Sequence, residues 1–295
     1  MMLTEQPNPD SAHIDQRSAL EIVQLMNAED ATIAAAVREV LPAIAEAVEI
    51  IAARLRNGGR LIYVGAGTSG RLAVLDAVEC VPTFSTDPSL VQGLIAGGKE
   101  ALTRAVEGAE DDRDAGRRDV LALELTVNDV VVGIAASGRT PYVVAALEAA
   151  NERGAATIGI SCNAPAPVLD AAQIKIAVLV GPEIITGSTR LKAGTAQKMI
   201  LNMLSTSSMI LLGKVFGNRM VDVKVTNQKL ADRARRIVSE VTGLDTDEAE
   251  RLLAQTNNEV KMAIVVGLLA VSPEEARVRL HAAQGQLHLV IGKQP

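Results

Sequence analysis

Aromatic residues are nearly absent from this chain of 295 residues: they make up 1% of it, and there is no tryptophan. Proteins that hold single-stranded nucleic acid usually stack the bases on aromatic side chains, so this composition disfavours that class. The net charge of -6 also disfavours broad contact with a phosphate backbone. We therefore expect no nucleic acid partner. The interior must be built from the aliphatic residues that dominate the 48% hydrophobic fraction.

Cysteine and histidine are also scarce. Cys80 and Cys162 are too few for a disulfide framework and lie in apolar stretches typical of reduced, buried thiols. The histidines, at positions 13, 281 and 288, are far apart and lack the spacing of metal ligands. No signal pattern and no uncharged apolar run of transmembrane length is visible. These observations predict a cytoplasmic protein with no metal site and no membrane association.

Two loops rich in glycine and hydroxyl groups each follow an apolar strand. The first contains Gly67, Thr68 and Ser69, in the string GAGTSGR after Leu61–Val64. The second follows Val130–Ala135 and consists of Ala136, Ser137, Gly138, Arg139 and Thr140. Such loops present backbone N–H groups and the positive end of a helix to a ligand. Together with the hydroxyl groups and an arginine, these donors can form a binding site for a phosphate monoester. Two such loops together indicate a phosphorylated metabolite.

Two other interpretations of these loops stay open at this point. The first loop formally matches the dinucleotide fingerprint, which requires an acidic residue at the end of the next strand to hold a ribose. The next predicted strand, Leu90–Ala96, ends in Gly97-Gly98-Lys99 and has no acid there. Alternatively, both loops are tight turns with no ligand, because glycine and serine are common in strand-to-helix turns.

Strands and helices alternate through the middle of the chain, which predicts an α/β fold with a parallel sheet covered by helices on both faces. The strands are expected at Leu61–Val64, Leu90–Ala96, Val130–Ala135, Thr157–Ser161 and Ile174–Val180. An extended arm and helices over Arg17–Asn27 and Asp30–Arg56 should precede them. No strand is expected after Gly181. The predicted parts are an N-terminal arm with helices (1–56), a sugar-phosphate domain (57–220), a connecting helix (221–242) and a three-helix module (243–295).

Three charged residues are candidates for chemistry. Glu79 lies in an apolar helical stretch close to the first loop, where a carboxyl group could have the raised pKa of an acid catalyst, although the pattern alone favours an ordinary exposed helix position. Glu110 belongs to an acidic run that also suits a solvated helix start. Lys192 opens a helix, Ser188–Lys214, together with several hydroxyls. The start of this helix either serves only as a helix cap or places Lys192 next to an anionic ligand.

Several strings together resemble the sugar isomerase (SIS) fold and, within it, the N-acetylmuramic acid 6-phosphate etherase family. They are GAGTSGRLAVLDAVEC, GLIAGG, AVEGAEDD, VVVGIAASGRTPYV, GISCN, GSTRLKAGTAQK, LNMLST and KVFGNRMVDV. The strings occur in the family's order and spacing over nearly the whole chain. The resemblance is weaker in the tail, which looks like the small UBA-like helical module of these proteins.

The resemblance implies cleavage of the D-lactyl ether of N-acetylmuramic acid 6-phosphate, giving N-acetylglucosamine 6-phosphate and D-lactate in cell-wall amino-sugar recycling. It gives Glu79 the role of catalytic acid and points to Glu110 as the second carboxylate. Such an elimination and hydration needs two carboxylates and no cofactor. Substrate contacts are expected from the two loops and the long helix, through Gly67, Thr68, Ser69, Ser137, Gly138, Arg139, Thr140 and Lys192.

Two rival functions share this fold. An aldose–ketose isomerase acting on a sugar phosphate would also remove a C2 proton, but it would release no lactate. A non-catalytic sugar-phosphate sensor similar to the glucokinase regulatory protein is the other rival. The helix Ser188–Lys214 is apolar nearly all round, so we expect a second copy of the chain to cover its spare face in a homodimer.

Overall fold

The computed structural model describes residues 2–225 and 227–292. The chain divides into two compact units. The first, called here the sheet unit, consists of Met1–Ala77 and Ser89–Ser205. The second, the helical unit, consists of Val78–Pro88 and Thr206–Pro295. No helix in the described part of the chain has the length and apolar character needed to cross a membrane.

A parallel sheet of five strands forms the centre of the sheet unit. The strands are β1 (Leu61–Gly65), β2 (Val91–Ile95), β3 (Val130–Ala135), β4 (Ala156–Ser161) and β5 (Ile174–Ala177). Their order across the sheet is β2-β1-β3-β4-β5, and every neighbouring pair is parallel. The predicted α/β class and all five predicted strands are confirmed, although β5 ends at Ala177 and not at Val180.

The helices that begin in the sheet unit alternate with the strands or precede them. They are α1 (Ala19–Asp30), α2 (Ile33–Glu39), α3 (Leu41–Arg56), α4 (Gly67–Phe84), α5 (Arg113–Leu121), α6 (Pro141–Glu152), α7 (Pro167–Asp170) and α8 (Lys192–Leu211). The single helix expected over Asp30–Arg56 is wrong, because the structure has α2 and α3 there. Pro42 lies in the first turn of α3, where its missing N–H costs least, and the preceding helix ends before it.

Helix α6 anchors one face of the sheet. It packs against β1, β3 and β4, and α5 packs against α6. A Cβ atom at Gly133 would lie 2.7 Å from Leu147 Cδ1, so the glycine in β3 allows α6 to approach closely. Every residue of β1, β3 and β4 is buried, as expected for parallel strands covered on both faces.

Helix α8 is shorter than the predicted Ser188–Lys214 and is not apolar all round. Its exposed residues recur at helical spacing and are mostly polar: Thr195, Lys198, Asn202, Thr206 and Ile210. The opposite side is buried through residues such as Ile200 and Leu204. The premise that α8 lacks a polar stripe is therefore wrong. The high apolar content of this helix comes from its buried side.

The helical unit contains a short antiparallel pair, β6 (Val215–Phe216) with β7 (Arg219–Met220), where no strand was expected. Its helices include α9 (Gln228–Thr242), α10 (Thr246–Gln255), α11 (Val260–Leu269), α12 (Pro273–Ala282) and α13 (Leu287–Ile291). The third helix expected in the tail ends at Ala282, and α13 follows it, so the tail has four helices and not three over its described residues, 243–292. The connecting helix predicted over 221–242 begins only at Gln228, and residue 226 of that range lies outside the described residues.

Candidate functional site

The two glycine-rich loops lie side by side at the carboxyl edge of the sheet. Strands β1 and β3 are parallel neighbours, with Gly65 opposite Ile134, so the segments that follow them leave the sheet at the same edge. Ligands of open α/β sheets bind at this edge, outside the carboxyl ends of the strands. The residues taken from the sequence as a phosphate seat are therefore brought together by the strand order.

The first loop turns tightly from β1 into α4. A Cβ atom at Gly65 would lie 2.7 Å from the backbone nitrogen of Gly70, so this turn requires glycine. Gly67 is exposed and Thr68 is partly exposed at the start of α4. Ser69 differs, because it is buried and its hydroxyl donates to Gln197 Oε1 at 2.8 Å. In this structure Ser69 ties α4 to α8 within the sheet unit.

The second loop leads from β3 into α6. Gly138 has a φ of 70°, and a Cβ atom there would lie 2.4 Å from Ser161 Oγ. The Ser137 hydroxyl accepts a hydrogen bond from the Arg139 backbone N–H at 3.2 Å, while the Arg139 side chain is exposed. Thr140 occupies the N-cap position of α6 but makes no side-chain capping bond with a described residue. The positive end of α6 therefore remains available to an anion.

Glu110 lies beside the first loop. A cavity of about 330 Å³ in the sheet unit is lined by Gly67, Arg71, Glu107 and Glu110, among other residues. Arg71 donates to the carbonyl oxygens of Leu102 at 3.3 Å and Arg104 at 3.1 Å, and so ties the segment before Glu110 to α4. Arg71 belongs to the first motif but was not predicted as a site residue.

Helix α4 carries two carboxyl groups in different surroundings. Asp76 is largely buried, and it accepts hydrogen bonds from Tyr63 Oη at 2.9 Å and Ser205 Oγ at 3.1 Å. Burial raises the pKa of Asp76, although these two hydrogen bonds and Lys198 act to lower it. Glu79 is exposed one turn further along, and its neighbours Leu75 and Val78 have 50% and 60% of their surface exposed. Two exposed apolar side chains thus lie close in the helix to the carboxylate predicted to be the acid.

Lys192 already has an anionic partner within the chain. Its ammonium group is buried and donates to the carboxylate of Glu29 on α1. The first backbone N–H groups of α8, from Lys192 and Ala193, donate to the carboxylate of Glu183 at 2.9 Å each. Glu183, which the sequence did not single out, is therefore the cap of α8. A ligand contact by Lys192 stays a prediction and requires the pair with Glu29 to open.

The N-terminal arm docks against the second loop through Asn163, a contact that sequence reasoning missed. Asn163 Nδ2 donates to Thr4 Oγ1 at 3.0 Å and to the carbonyl of Ala136 at 2.9 Å. The backbone N–H of Thr4 donates back to Asn163 Oδ1 at 3.3 Å, and Thr4 is fully buried. The position of Asn163, two residues after β4 at the same sheet edge, was the available signal.

Three segments of this chain match known domain families. Residues 43–151 match the N-terminal SIS domain of the glucokinase regulatory protein, residues 111–207 match the SIS domain, and residues 217–264 match the C-terminal lid domain of the glucokinase regulatory protein. A phosphoheptose isomerase from Francisella tularensis superposes with a TM-score of 0.51 at 19% identity, over 66% of this chain and 98% of that one. These matches establish the SIS fold.

Closer relatives cover nearly the entire chain. An N-acetylmuramic acid 6-phosphate etherase from Rhodopirellula baltica is 58% identical over 97% of this chain and 95% of its own length. One from Pasteurella multocida is 56% identical over 97% of this chain and 95% of its own length. This chain belongs to the N-acetylmuramic acid 6-phosphate etherase family.

Proposed function

We propose that this protein cleaves the ether between D-lactate and C3 of N-acetylmuramic acid 6-phosphate, giving N-acetylglucosamine 6-phosphate and D-lactate. The observation that carries the proposal is the 58% identity, over 97% of the chain, to a relative named for this ether cleavage. The adjacent hydroxyl-rich loops at the sheet edge suit a sugar phosphate. A role in recycling cell-wall amino sugars follows from the substrate.

Elimination followed by hydration is the route that the residues support. In the open-chain sugar the C1 aldehyde acidifies the C2 proton. A base removes that proton, the C2–C3 double bond forms, the C3–O bond breaks, and an acid protonates the departing lactate oxygen. Water then adds its oxygen to C3 and a proton returns to C2. We assign Glu79 as the acid and Glu110 as the base, two carboxylates that exchange roles in the second half.

The second loop is the proposed phosphate seat. Arg139 has an exposed guanidinium, Ser137 and Thr140 supply hydroxyls, and no side chain of the described chain caps the start of α6. Charge-assisted bonds from an arginine and a helix N-terminus suit a phosphate dianion. The first loop, with exposed Gly67 and partly exposed Thr68, would then face the sugar. Glu110 would reach C2 from the cavity that it lines together with Gly67.

We also propose a homodimer in the cytoplasm. Helix α1 buries none of its residues, and Leu20 and Val23 on it are 64% and 56% exposed. Leu75 and Val78, beside Glu79, form a second exposed apolar surface. Apolar groups of this size next to a proposed catalytic carboxylate suggest that a second copy covers them and encloses the site. Cys80 and Cys162 are buried and not joined in a disulfide, which suits a reducing compartment.

The decisive experiment combines lactate release with exchange of the C2 proton. The purified protein should release D-lactate from N-acetylmuramic acid 6-phosphate, which an aldose–ketose isomerase or a sensor would not do. Glu79→Gln should lose lactate release by about 10²–10⁴-fold, because the leaving oxygen then has no proton donor. Solvent deuterium should still enter at C2 in this variant, since the proposed base is a different residue.

The matched control is Glu46→Gln, which neutralises an exposed glutamate on α3. It should keep the parent rate of lactate release. Near-normal release by Glu79→Gln would remove Glu79 from the proposed role. Loss of deuterium incorporation together with lactate release in that variant would instead make Glu79 the base.

A further inference from the structure

The helical unit contains a cavity of its own, of about 570 Å³. It is lined by Ser85 at the end of α4, the segment that contains β6 and β7, the first turn of α11 and one side of α12. None of the residues predicted to contact the sugar substrate is among its lining residues. The proposed reaction therefore leaves this cavity without a role.

Positive charge dominates the cavity wall. Its lining includes Lys214, Lys224, Lys261 and Arg277, opposed only by Asp222 and Glu259 among the described residues. Four cations and two anions leave a net charge of +2 with His281 neutral, in a chain whose overall net charge is -6. An excess of cations around a concave space in an acidic protein is the charge pattern of an anion site.

One carboxylate is shared between two of these lysines. Lys261 Nζ lies 3.0 Å from Asp222 Oδ2, and Lys214 Nζ lies 3.1 Å from the same oxygen. Only 11% of the Lys261 side chain is exposed, so its charge is partly desolvated. Burial lowers the pKa of Lys261, and Asp222 opposes that effect. A further anion beside the two ammonium groups would neutralise the charge that Asp222 leaves uncompensated.

Two other features of the wall supply donors. Arg277 is exposed on α12 and makes no ion pair with a described residue. Helix α11 is ten residues long, and its N-cap residue, Glu259, makes no side-chain capping bond with a described residue. Val260, Lys261 and Met262, the first turn of α11, line the cavity. Their backbone N–H groups add the positive end of a helix to the four cationic side chains.

We propose that this cavity binds the phosphate group of a small anion, with lining residues separate from the two glycine-rich loops of the sheet unit. Lys214 and Lys261 hold the phosphate from the buried side, and Arg277 closes over it from α12. Phosphate is favoured over a carboxylate because three separate cationic groups and a helix start can each meet a different oxygen. The anion is either free inorganic phosphate or a phosphorylated metabolite.

Met262 provides a local reporter for this binding. It lines the cavity and is buried, and the chain has only 8 methionines. The full-length protein, labelled with ¹³C at the methionine methyl groups, can be titrated with inorganic phosphate to about 50 mM at constant ionic strength, so that general screening does not change. Met262→Leu assigns the resonance. We expect a saturable shift of the Met262 methyl with phosphate and none with chloride.

Matched arginine variants make the test specific. Arg277→Ala should raise the Kd for phosphate at the Met262 signal by about tenfold, as the loss of a charge-assisted contact predicts. Arg236→Ala removes an exposed arginine of α9 that does not line this cavity, and it should leave the Kd unchanged. N-acetylglucosamine 6-phosphate, tested next, distinguishes the sources: tighter binding than inorganic phosphate would indicate a phosphorylated metabolite.

Three results would overturn the proposal. One is a Met262 methyl that does not shift with phosphate. Another is the same Kd in Arg277→Ala and Arg236→Ala. The third is a shift that disappears in Arg139→Ala, because the reporter would then be following phosphate at the sheet edge. The measurement needs no turnover, so failure of the proposed etherase reaction would not affect it.

Discussion

Asp76 is a carboxyl group whose environment in the fold differs sharply from water. Tyr63 and Ser205 donate to it, yet burial dominates and raises its pKa from 3.8. Above pH 3.8 the unfolded chain loses this proton while the folded chain still holds it. The folded state then binds more protons, so the free energy of unfolding falls as the pH rises through this window.

The corresponding prediction compares the parent protein with Asp76→Asn, which cannot titrate at this position. The free energy of unfolding of the parent minus that of the variant should be greatest below pH 3.8 and should decrease as the pH rises, levelling off above the raised pKa. Urea unfolding at a series of pH values measures the difference. A difference that increases with pH would show that Asp76 is stabilised in its charged form.

Arg139 and Arg153 are exposed arginines at opposite ends of α6. If the second loop holds the phosphate, Arg139→Ala should raise KM for the 6-phosphate substrate by roughly tenfold or more, because a charge-assisted contact contributes about 1.5–3 kcal/mol. Ser137→Ala should act in the same direction. Arg153→Ala is the control and should leave KM unchanged. Steady-state kinetics decides: unchanged KM with reduced kcat in Arg139→Ala would move the phosphate seat elsewhere.

Several contacts at the candidate site could not be predicted from the sequence. Gly67 and Glu110 were each chosen from separate motifs, and they line one cavity. Glu183 and Asn163 were missed because their partners are distant in the chain: Glu183 receives the first N–H groups of α8, and Asn163 joins Thr4 to Ala136. Nothing in the local sequence marks a cap that comes from another segment.

At the scale of elements, the turn from β3 to α6 depends on Gly138. Gly138→Ala places a Cβ atom 2.4 Å from Ser161 Oγ and from Ala166 Cβ, in addition to the cost of a φ of 70°. Gly58 also has positive φ, of 79°, but a Cβ atom there would meet nothing within 4 Å. We expect Gly58→Ala to lose about 1–2 kcal/mol of stability, the backbone cost alone.

Gly138→Ala should lose clearly more, about 3 kcal/mol or above, since Ser161 and Ala166 must move as well. Urea unfolding of both variants measures the free energy of unfolding and separates the backbone cost of a positive φ from the cost of the steric contacts. Equal losses in the two variants would mean that the loop relaxes and that its shape is not fixed by these contacts.

The errors at this scale have physical causes. The pattern over Asp30–Arg56 is helical throughout, but Pro42 cannot donate in a continuous helix, so the chain begins α3 anew. In α8 the apolar residues outnumber the polar ones, and only the burial pattern shows that Lys198, Asn202 and Thr206 share one exposed side. Composition alone overstated the apolar surface of this helix.

At the scale of the whole molecule, the surface of α1 argues for assembly. Leu20 and Val23 are exposed on a helix with no buried residue. If a second copy covers them, the double variant Leu20→Asp with Val23→Asp should convert a dimer into a monomer at micromolar concentration, because two charges would be buried without partners. Static light scattering measures the mass, and lactate release should fall with it.

The control is Val278→Asp, at a position that is 67% exposed on α12. It should leave the mass of the dimer unchanged. A parent protein that is monomeric and fully active at micromolar concentration would rule the dimer out. A double variant that stays dimeric would place the interface on a surface other than α1.

The sequence by itself determined the fold class, the five strands and the family, because those follow from short-range patterns: apolar strands, glycine turns and motifs read in order along the chain. Tertiary structure alone decided which side chains pair with each other and which are buried. It placed Glu110 beside the first loop, paired Lys192 with Glu29, buried most of the Asp76 carboxyl group and left Glu79 exposed. Burial and pairing depend on segments that are far apart in the chain, and no local pattern records which segments meet.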